Sequence, residues 1–541
     1  MEKLIPLAKK VTWVRQPSPR VKYPPELSEE QASTLISDIK DYQLIHGSLL
    51  KLVQSEQDNT VLSQPVGISV FPTLFPKTLF EEALALQRTY NKLYTAVAED
   101  EDFSFRVLEG LIENDPLATC LWGIYEEVKK EGSVQDLSLG IWRNDYMLDI
   151  GGSQNELGIK QVEFNTIAVA GGTHGNRVSD MHQHLQATGA YRGAPGEQDQ
   201  TIEITASSLP PNNTIQTITS GLVAAHSAYG PPKAPSMKQT CILFIVQPHN
   251  FNIADERPLE YALWSSSPPI PAYRLLFGAD VLEYTTVTPS RELIYHPPSR
   301  PGLALEVSVV YFRSGFEVHE YNYVGRTARL HLERSRAIKC PNLLGHLCTF
   351  KKVQQALSRP GALKIFLRKE EVDRIEKTFT PMFPLDESKK GMEGRKIATN
   401  GKVACDYVLK PSLEGGGHNI YGSAIPEYLK GVAKEKWGGY VLMKKILPPS
   451  LNGILMSQRG IYEGSIVSEL GIFGVCLWRR NEGVGQEKAE IVKELAPSWS
   501  FKTKDASVDE MSVVKGYGCF DSPVLVDLPV FAAVAGWRTK H

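Results

Sequence analysis

The chain predicts a mixed α/β protein of more than one domain, and three observations carry that expectation. Its 541 residues exceed what one hydrophobic core supports, so two to four domains follow. Segments with helical spacing alternate with short apolar runs of strand length. One of those runs, "DYVLKP", leads within a few residues into Gly415, Gly416 and Gly417. The apolar fraction of 42% and charged fraction of 22% are ordinary for a soluble globular protein. A net charge of −2 provides no global field to draw the chain onto nucleic acid or an anionic membrane.

The elements follow in order. Ser28 with Gln31 three residues on forms a capping-box pattern, and Ala32, Leu35, Ile36 and Ile39 then repeat at helical spacing. Residues 79–100 and 120–132 also read as helices. Strands are predicted over 138–150 and over 160–172, the second running into a glycine turn. The stretch from about Arg192 to Lys238 is rich in Pro, Ser, Thr, Gly and Asn and reads in part as a long loop and a boundary. A buried strand at 240–247, a helix, and "VSVVYFRSG" at 307–315 suggest a small α/β unit. "KKVQQAL" reads as helix and 378–404 as a polar loop. The strands "DYVLKP", "GYVLMKKI" and "SIVSELGIFGVCLW" come next. Residues 480–518 are charged and weakly patterned, which suggests a mobile loop or lid.

The seven cysteines show no CxxC pair and no zinc spacing. Their odd number and scatter predict reduced thiols in a reducing compartment. The N-terminus has no apolar core of signal-peptide length, and no stretch approaches the ~18 apolar residues that span a bilayer. A cytoplasmic protein is expected, and the sequon at Asn212 is read as chance.

Several residue groups can carry chemistry. The glycines after Lys410 allow backbone N–H groups to turn toward a phosphate, Lys410 adds a positive charge, and Glu414 offers a hard oxygen ligand to Mg2+. Read alone, the same stretch also fits a flexible turn, since no Gly-Lys-Ser/Thr follows. Glu163 and Asn165, two apart on a strand, share a face and form a partial magnesium site, or simply a polar face. Arg143 and Arg313, in strand contexts among aromatics, fit anion clamps or structural ion pairs. His174, His182 and His184 cluster, with surface or capping roles expected rather than a metal site.

Together and in order, "VEFNTI", "YFRSGF", "HLERSRAIKCPN", "KKVQQALSRPG", "VLKPSLEGGGHNIYG" and "SELGIFGV" resemble eukaryotic-type glutathione synthetase, from about Leu137 to Pro523. The resemblance implies an ATP-grasp fold with N-terminal helices, an inserted α/β substrate-binding domain and a lid. It divides the chain into residues 1–236, 237–345 and 346–541. It implies a homodimer that joins γ-glutamylcysteine to glycine with MgATP. By this likeness Glu163, Asn165 and Glu414 are magnesium ligands. Lys351, Lys410, Gly415 to Gly417, Asn419, Tyr421 and Glu469 contact ATP, and Met443, Lys444, Lys445 and Ile446 meet the adenine. Lys504 is the lid lysine, Arg143 lies near the reacting carboxylate, and Asn252 and Arg313 hold the dipeptide.

The sequence also departs from the family at substrate-contacting positions. Ala168, Val169, Ala170 and Gly171 stand where Ser-x-Ser-Phe is usual, Glu256 replaces an amide, Phe316 a tyrosine and Lys502 an arginine. Leu413 and His418 stand for Arg and Asn, and Met511-Ser512 for a Gly-Gly pair. The magnesium ligands and most of the nucleotide positions are kept. The expected function is an ATP-dependent carboxylate–amine ligase of glutathione synthetase type. The alternatives are a related ligase for another acid or amine in specialised metabolism, and a non-catalytic nucleotide-binding protein.

Overall fold

Ser28 opens the first helix, α1 (Glu29–Ile45), through the predicted capping box: its hydroxyl accepts from the Gln31 N–H at 3.2 Å, and the Gln31 amide oxygen accepts from the Ser28 N–H at 2.9 Å. In this computed structural model the described residues are 12–15, 22–52, 61–151, 157–193, 201–412 and 418–540. Helices α2 (Lys77–Val97), α3 (Glu101–Asn114) and α4 (Pro116–Glu131) follow. Asp100 and Asp115 start the last two, their carboxylates accepting from the Phe103 and Ala118 N–H groups.

Strand β1 (Leu137–Asp149) is the centre of the large sheet, antiparallel to β2 (Gly158–Asn165) on one side. After α5 (Gly172–Ala187) and α6 (Thr214–Tyr229), β3 (Thr240–Val246), α7 (Ile253–Trp264) and β4 (Leu305–Phe312) realise the predicted strand–helix–strand order. β3 and β4 pair in parallel, and the short strand Ile338–Cys340 links β4 to β1 through Lys339 opposite Ser138. Beyond α8 (Lys351–Leu357) and α9 (Lys389–Thr399), β5 (Tyr407–Pro411) and β6 (Tyr440–Lys444) pair antiparallel in a separate four-stranded sheet. The long β7 (Gly460–Arg480) returns to the large sheet beside β1, and β8 (Ala489–Glu494) and β9 (Ser498–Asp505) both pair with β7.

Strand alternation gives the large sheet two different faces. On one, Trp142, Tyr146 and Phe164 meet α2, with Tyr94 stacked on Phe164 at 3.6 Å between ring centroids. On the other, Leu139 and Ile141 pack with Ile218, Leu222 and Ala225 of α6. That second face continues into the candidate site.

Three readings need correction. Residues 192–238 contain α6, whose buried Ile218, Leu222, Ala225 and Tyr229 follow helical spacing. Flanking prolines and a Thr/Ser-rich composition concealed it. Residues 378–404 contain α9 and a strand at Met382–Pro384, joined by Ser388 capping the Gly391 N–H. Residues 480–518 contain β8 and β9, so irregular backbone is confined to shorter segments. The seven cysteines are unpaired thiols, and the Asn212 side chain is buried, donating to the Trp499 carbonyl at 2.8 Å. Among the described residues no helix is long and apolar enough to cross a membrane.

Candidate active site

Four adjacent strands, β2, β1, β7 and β9, build the floor of the site by register. Arg143 lies opposite Asn165 and Asp145 opposite Glu163 across β1 and β2. Gly471 lies opposite Asp145 across β7 and β1, and Glu469 and Val467 lie opposite Lys502 and Lys504 across β7 and β9. Period-two alternation therefore brings Arg143, Asp145, Glu163, Asn165, Glu469, Lys502 and Lys504 to one face. The four-stranded sheet supplies the opposing wall through Lys410, Met443, Lys444 and Lys445. Between them lies a cavity of ≈ 830 Å³, within the ~300–1,000 Å³ typical of small-molecule sites.

The charges in it are paired and oriented. Arg143 holds Asp145 with two bonds, Nε to Oδ1 at 2.6 Å and Nη2 to Oδ2 at 2.8 Å, and its Nη1 donates to the Ala170 carbonyl at 2.7 Å. The Asn165 amide nitrogen donates to Asp145 at 3.1 Å, which leaves its oxygen as the ligating atom. Lys351 Nζ lies 3.1 Å from Glu163, and Lys410 Nζ donates to the Val162 carbonyl at 2.8 Å. Burial alone would raise the Glu163 pKa, but Lys351, then Lys410 and Arg143, hold its carboxyl well below the usual range. Burial lowers the Lys410 and Lys504 ammonium pKa values, opposed by Glu163 and Glu469 respectively. Lys502 pairs with Glu469 at 2.5 Å, yet burial keeps the Glu469 carboxyl above its ordinary range.

Close backbone approach explains one conspicuous glycine. A Cβ at Gly471 would sit 2.8 Å from Asp145 Oδ1, 2.8 Å from Ser500 Oγ and 2.9 Å from Arg143 Cδ. Only a residue without a side chain leaves room there for the Arg143–Asp145 pair.

Most residues named from sequence meet at this cavity. Arg143, Glu163, Asn165, Ala168 to Gly171, Asn252, Phe316 and Lys351 line it. So do Lys410, Asn419, Tyr421, Met443 to Ile446, Glu469, Lys502 and Lys504. Glu414 and Gly415 to Gly417 lie outside the described residues. Glu256 and Arg313 do not line the cavity. Arg313 is buried behind Val169, donates to its carbonyl, and pairs with Asp255 at 3.2 Å and Glu256 at 3.5 Å. Of the two roles open to it, this is the structural ion pair.

The histidines are also redistributed. His184 is exposed on α5, but His174 and His182 are buried, and His182 shares a hydrogen bond with Tyr191 at 2.7 Å. His174 lines the cavity, 3.3 Å from Asn252, with its ring centroid 5.2 Å from that of Phe520 in a tilted pair. Leu50, Ser500 and Phe520 line it too and went unrecognised in the sequence. Ser500 was reachable, because it shares period two with Lys502 and Lys504. Leu50 lies over a hundred positions from the other wall residues on its side and gave no signal.

Comparison with known proteins places this geometry. The family model described as eukaryotic glutathione synthase, ATP-binding domain, matches residues 29–525. The glutathione synthetase large chain of Schizosaccharomyces pombe is 32% identical over 520 residues, covering 93% of this chain and 98% of its own. The glutathione synthetases of Xenopus laevis and Homo sapiens are each 32% identical, over 505 and 499 residues, covering 93% and 92% of this chain and 98% and 97% of their own. A solved structure of a glutathione synthetase-like effector from Globodera pallida, in its apo form, superposes with a TM-score of 0.68 at 20% identity, covering 95% of this chain and 100% of that one, a likeness of fold. The matched family region spans every element that builds the cavity, and the chain belongs to the eukaryotic glutathione synthase family.

Proposed function

We propose that the chain is an ATP-dependent ligase that joins γ-glutamylcysteine to glycine through an acyl phosphate, releasing ADP and phosphate. The observation that carries this reading is the convergence of Lys351, Lys410 and Lys504 on a cavity that also presents Glu163, Asn165 and Arg143. That set suits phosphoryl transfer, where positioning and charge neutralisation account for most of the catalysis.

The adenine lies along Met443–Ile446, and the triphosphate meets the three lysines. Glu163 and the oriented Asn165 oxygen fit a hard cation, with Glu414 as a third oxygen donor from sequence. Bound magnesium would neutralise phosphate oxygens in that place. The dipeptide carboxylate attacks the γ-phosphate in line, and Arg143, oriented by its two bonds to Asp145, faces the charge that develops. The glycine amine then attacks the acyl phosphate, and phosphate leaves. The segment 506–514, which lines the cavity beside Lys504, serves as the lid that keeps water from the acyl phosphate. The three-part division at 237 and 345, a homodimer and a cytoplasmic location complete the reading. The unpaired thiols support that location.

The test is a product assay by mass spectrometry with MgATP, γ-glutamylcysteine and a panel of amines. Glutathione, ADP and phosphate should form in equal amounts. Tight MgATP binding without any peptide product would overturn the reading.

A further inference from the structure

The cavity wall beyond the end of β2 carries no charged side chain among the described residues. It is made by Ile167–Gly171, Asn252 and Phe316, with His174 and Phe520 beside them. The cations that line the cavity come from elsewhere: Arg143 from β1, Lys351 from α8, Lys410 from β5, Lys444 and Lys445 at the end of β6, and Lys502 and Lys504 from β9. Arg143, which approaches this wall at the Ala170 carbonyl, is neutralised by Asp145.

A guanidinium does stand behind the wall, but it is directed into the protein. Arg313 is 3% exposed. Its nitrogens reach the Val169 carbonyl, Asp255, Glu256 and the Tyr311 hydroxyl. Glu256 is shared with Arg274 at 3.1 Å and accepts from the Asn250 amide at 2.6 Å. Asp255 also accepts from the Gly171 and Thr173 N–H groups, both at 3.0 Å, which pins the wall to α7. Asp255 and Glu256 pair with Arg313, and Glu256 and Glu260 with Arg274, so this cluster presents no uncompensated positive charge to the cavity. The polar groups left on the wall are Asn252, backbone and His174, whose ring burial keeps uncharged at neutral pH.

Resting on the ligase reading above, we propose that this wall holds the remote end of the acid substrate without a charged partner. The chain then accepts N-acylcysteines whose acyl group bears neither carboxylate nor ammonium, and Glu256 sets this tolerance by neutralising Arg313. The chemistry is unchanged. A cysteine carboxylate oxygen bonds to the γ-phosphorus as the bond to the β-phosphate oxygen breaks. The amine nitrogen of glycine then bonds to the carbonyl carbon, phosphate departs with that oxygen, and the amine proton passes to solvent.

The experiment measures kcat/KM for γ-glutamylcysteine, N-glutarylcysteine and N-butanoylcysteine with saturating MgATP and glycine. N-butanoylcysteine should fall within ~10-fold of γ-glutamylcysteine, whereas a site built to bond the missing groups rejects such an analogue by ~10⁴-fold or more. Turnover of γ-glutamylcysteine with a loss above ~100-fold for N-butanoylcysteine overturns this inference and leaves the ligase reading standing. Turnover of N-butanoylcysteine without γ-glutamylcysteine supports it and overturns the dipeptide as substrate. Failure of all three acids overturns both. In Glu256→Gln, Arg313 loses one charged partner, and preference for N-glutarylcysteine over N-butanoylcysteine should rise ~5-fold or more. An unchanged ratio in folded variant protein removes Glu256 as the determinant.

Discussion

Gly471→Ala tests whether the Arg143–Asp145 pair positions the reacting groups. The added methyl would lie 2.8 Å from Asp145 Oδ1 and Ser500 Oγ and 2.9 Å from Arg143 Cδ, short of the 3.4 Å of ordinary contact by 0.6 Å, 0.6 Å and 0.5 Å. Three strands meet at that point, so the crowding is relieved by pushing the arginine and its carboxylate out of register with the cavity. Overpacking of this kind costs ~1–3 kcal/mol of stability. Misplacing a catalytic group by 1 Å costs ~10²-fold in rate, so a shift of about half that predicts a ~10–100-fold loss of kcat. The KM for ATP should move less than ~3-fold, because the adenine and phosphate contacts lie on other residues. Steady-state kinetics beside thermal melts separate the two effects. Gly474→Ala is the matched control on the opposite face of the same strand, where a Cβ would meet Asn91 and Gln87 at 2.3 Å. It should destabilise while the folded fraction keeps its kcat. A Gly471→Ala protein with undiminished kcat would refute a positioning role for the pair.

Three further outcomes follow from buried charges in and near the sheet. Glu163→Gln removes the proposed cation ligand and an ion-pair partner of Lys351, so the Mg2+ concentration giving half-maximal rate should rise ~10-fold or more, and chelator should abolish wild-type activity reversibly on Mg2+ addition. Lys502→Met strands Glu469 in the protein and should cost ~3–5 kcal/mol in urea melts, with Glu469→Gln added in the same chain recovering most of it. Asp521 is buried, and its carboxyl is pushed up to about 7 by burial against the bonds from Thr73 and Thr503. A folded pKa above the ordinary 3.8 means that the folded chain holds the proton more tightly. The contribution is therefore complete below pH 3.8 and lost as pH rises through about 7, at most ~4 kcal/mol. Urea melts at pH 5.5 and 8 should show this fall, and Asp521→Asn should flatten it whatever its absolute stability.

What could be read from the sequence and what could not differ by the kind of information involved. Alternation along "VEFNTI" carries its own geometry, so Glu163 and Asn165 were legible as residues of one face before any fold was known, whereas the strand register adds Arg143 to that face. The same alternation exists in "SWSFKTKD", but its lysines face a cavity instead of solvent, and a charged strand then looks like an exposed loop. Helix α6 was hidden for a related reason: Thr and Ser inside it meet a polar neighbourhood, with the Thr214 hydroxyl bonded to Asn212 and the Trp499 carbonyl, so composition pointed away from burial. Arg313 shows a limit of another kind. Its position in the strand and its approach to the substrate wall were both readable, but its electrical state depends on which carboxylates reach it. Asp255 and Glu256 come from a helix nearly sixty positions earlier. A motif preserves the identity of a charged residue while distant partners decide whether that charge is available, and Glu256, which pairs with Arg313 without lining the cavity, is such a partner. Matching Arg313 alone therefore leaves the acid specificity open, and the state of its partners has to be matched as well.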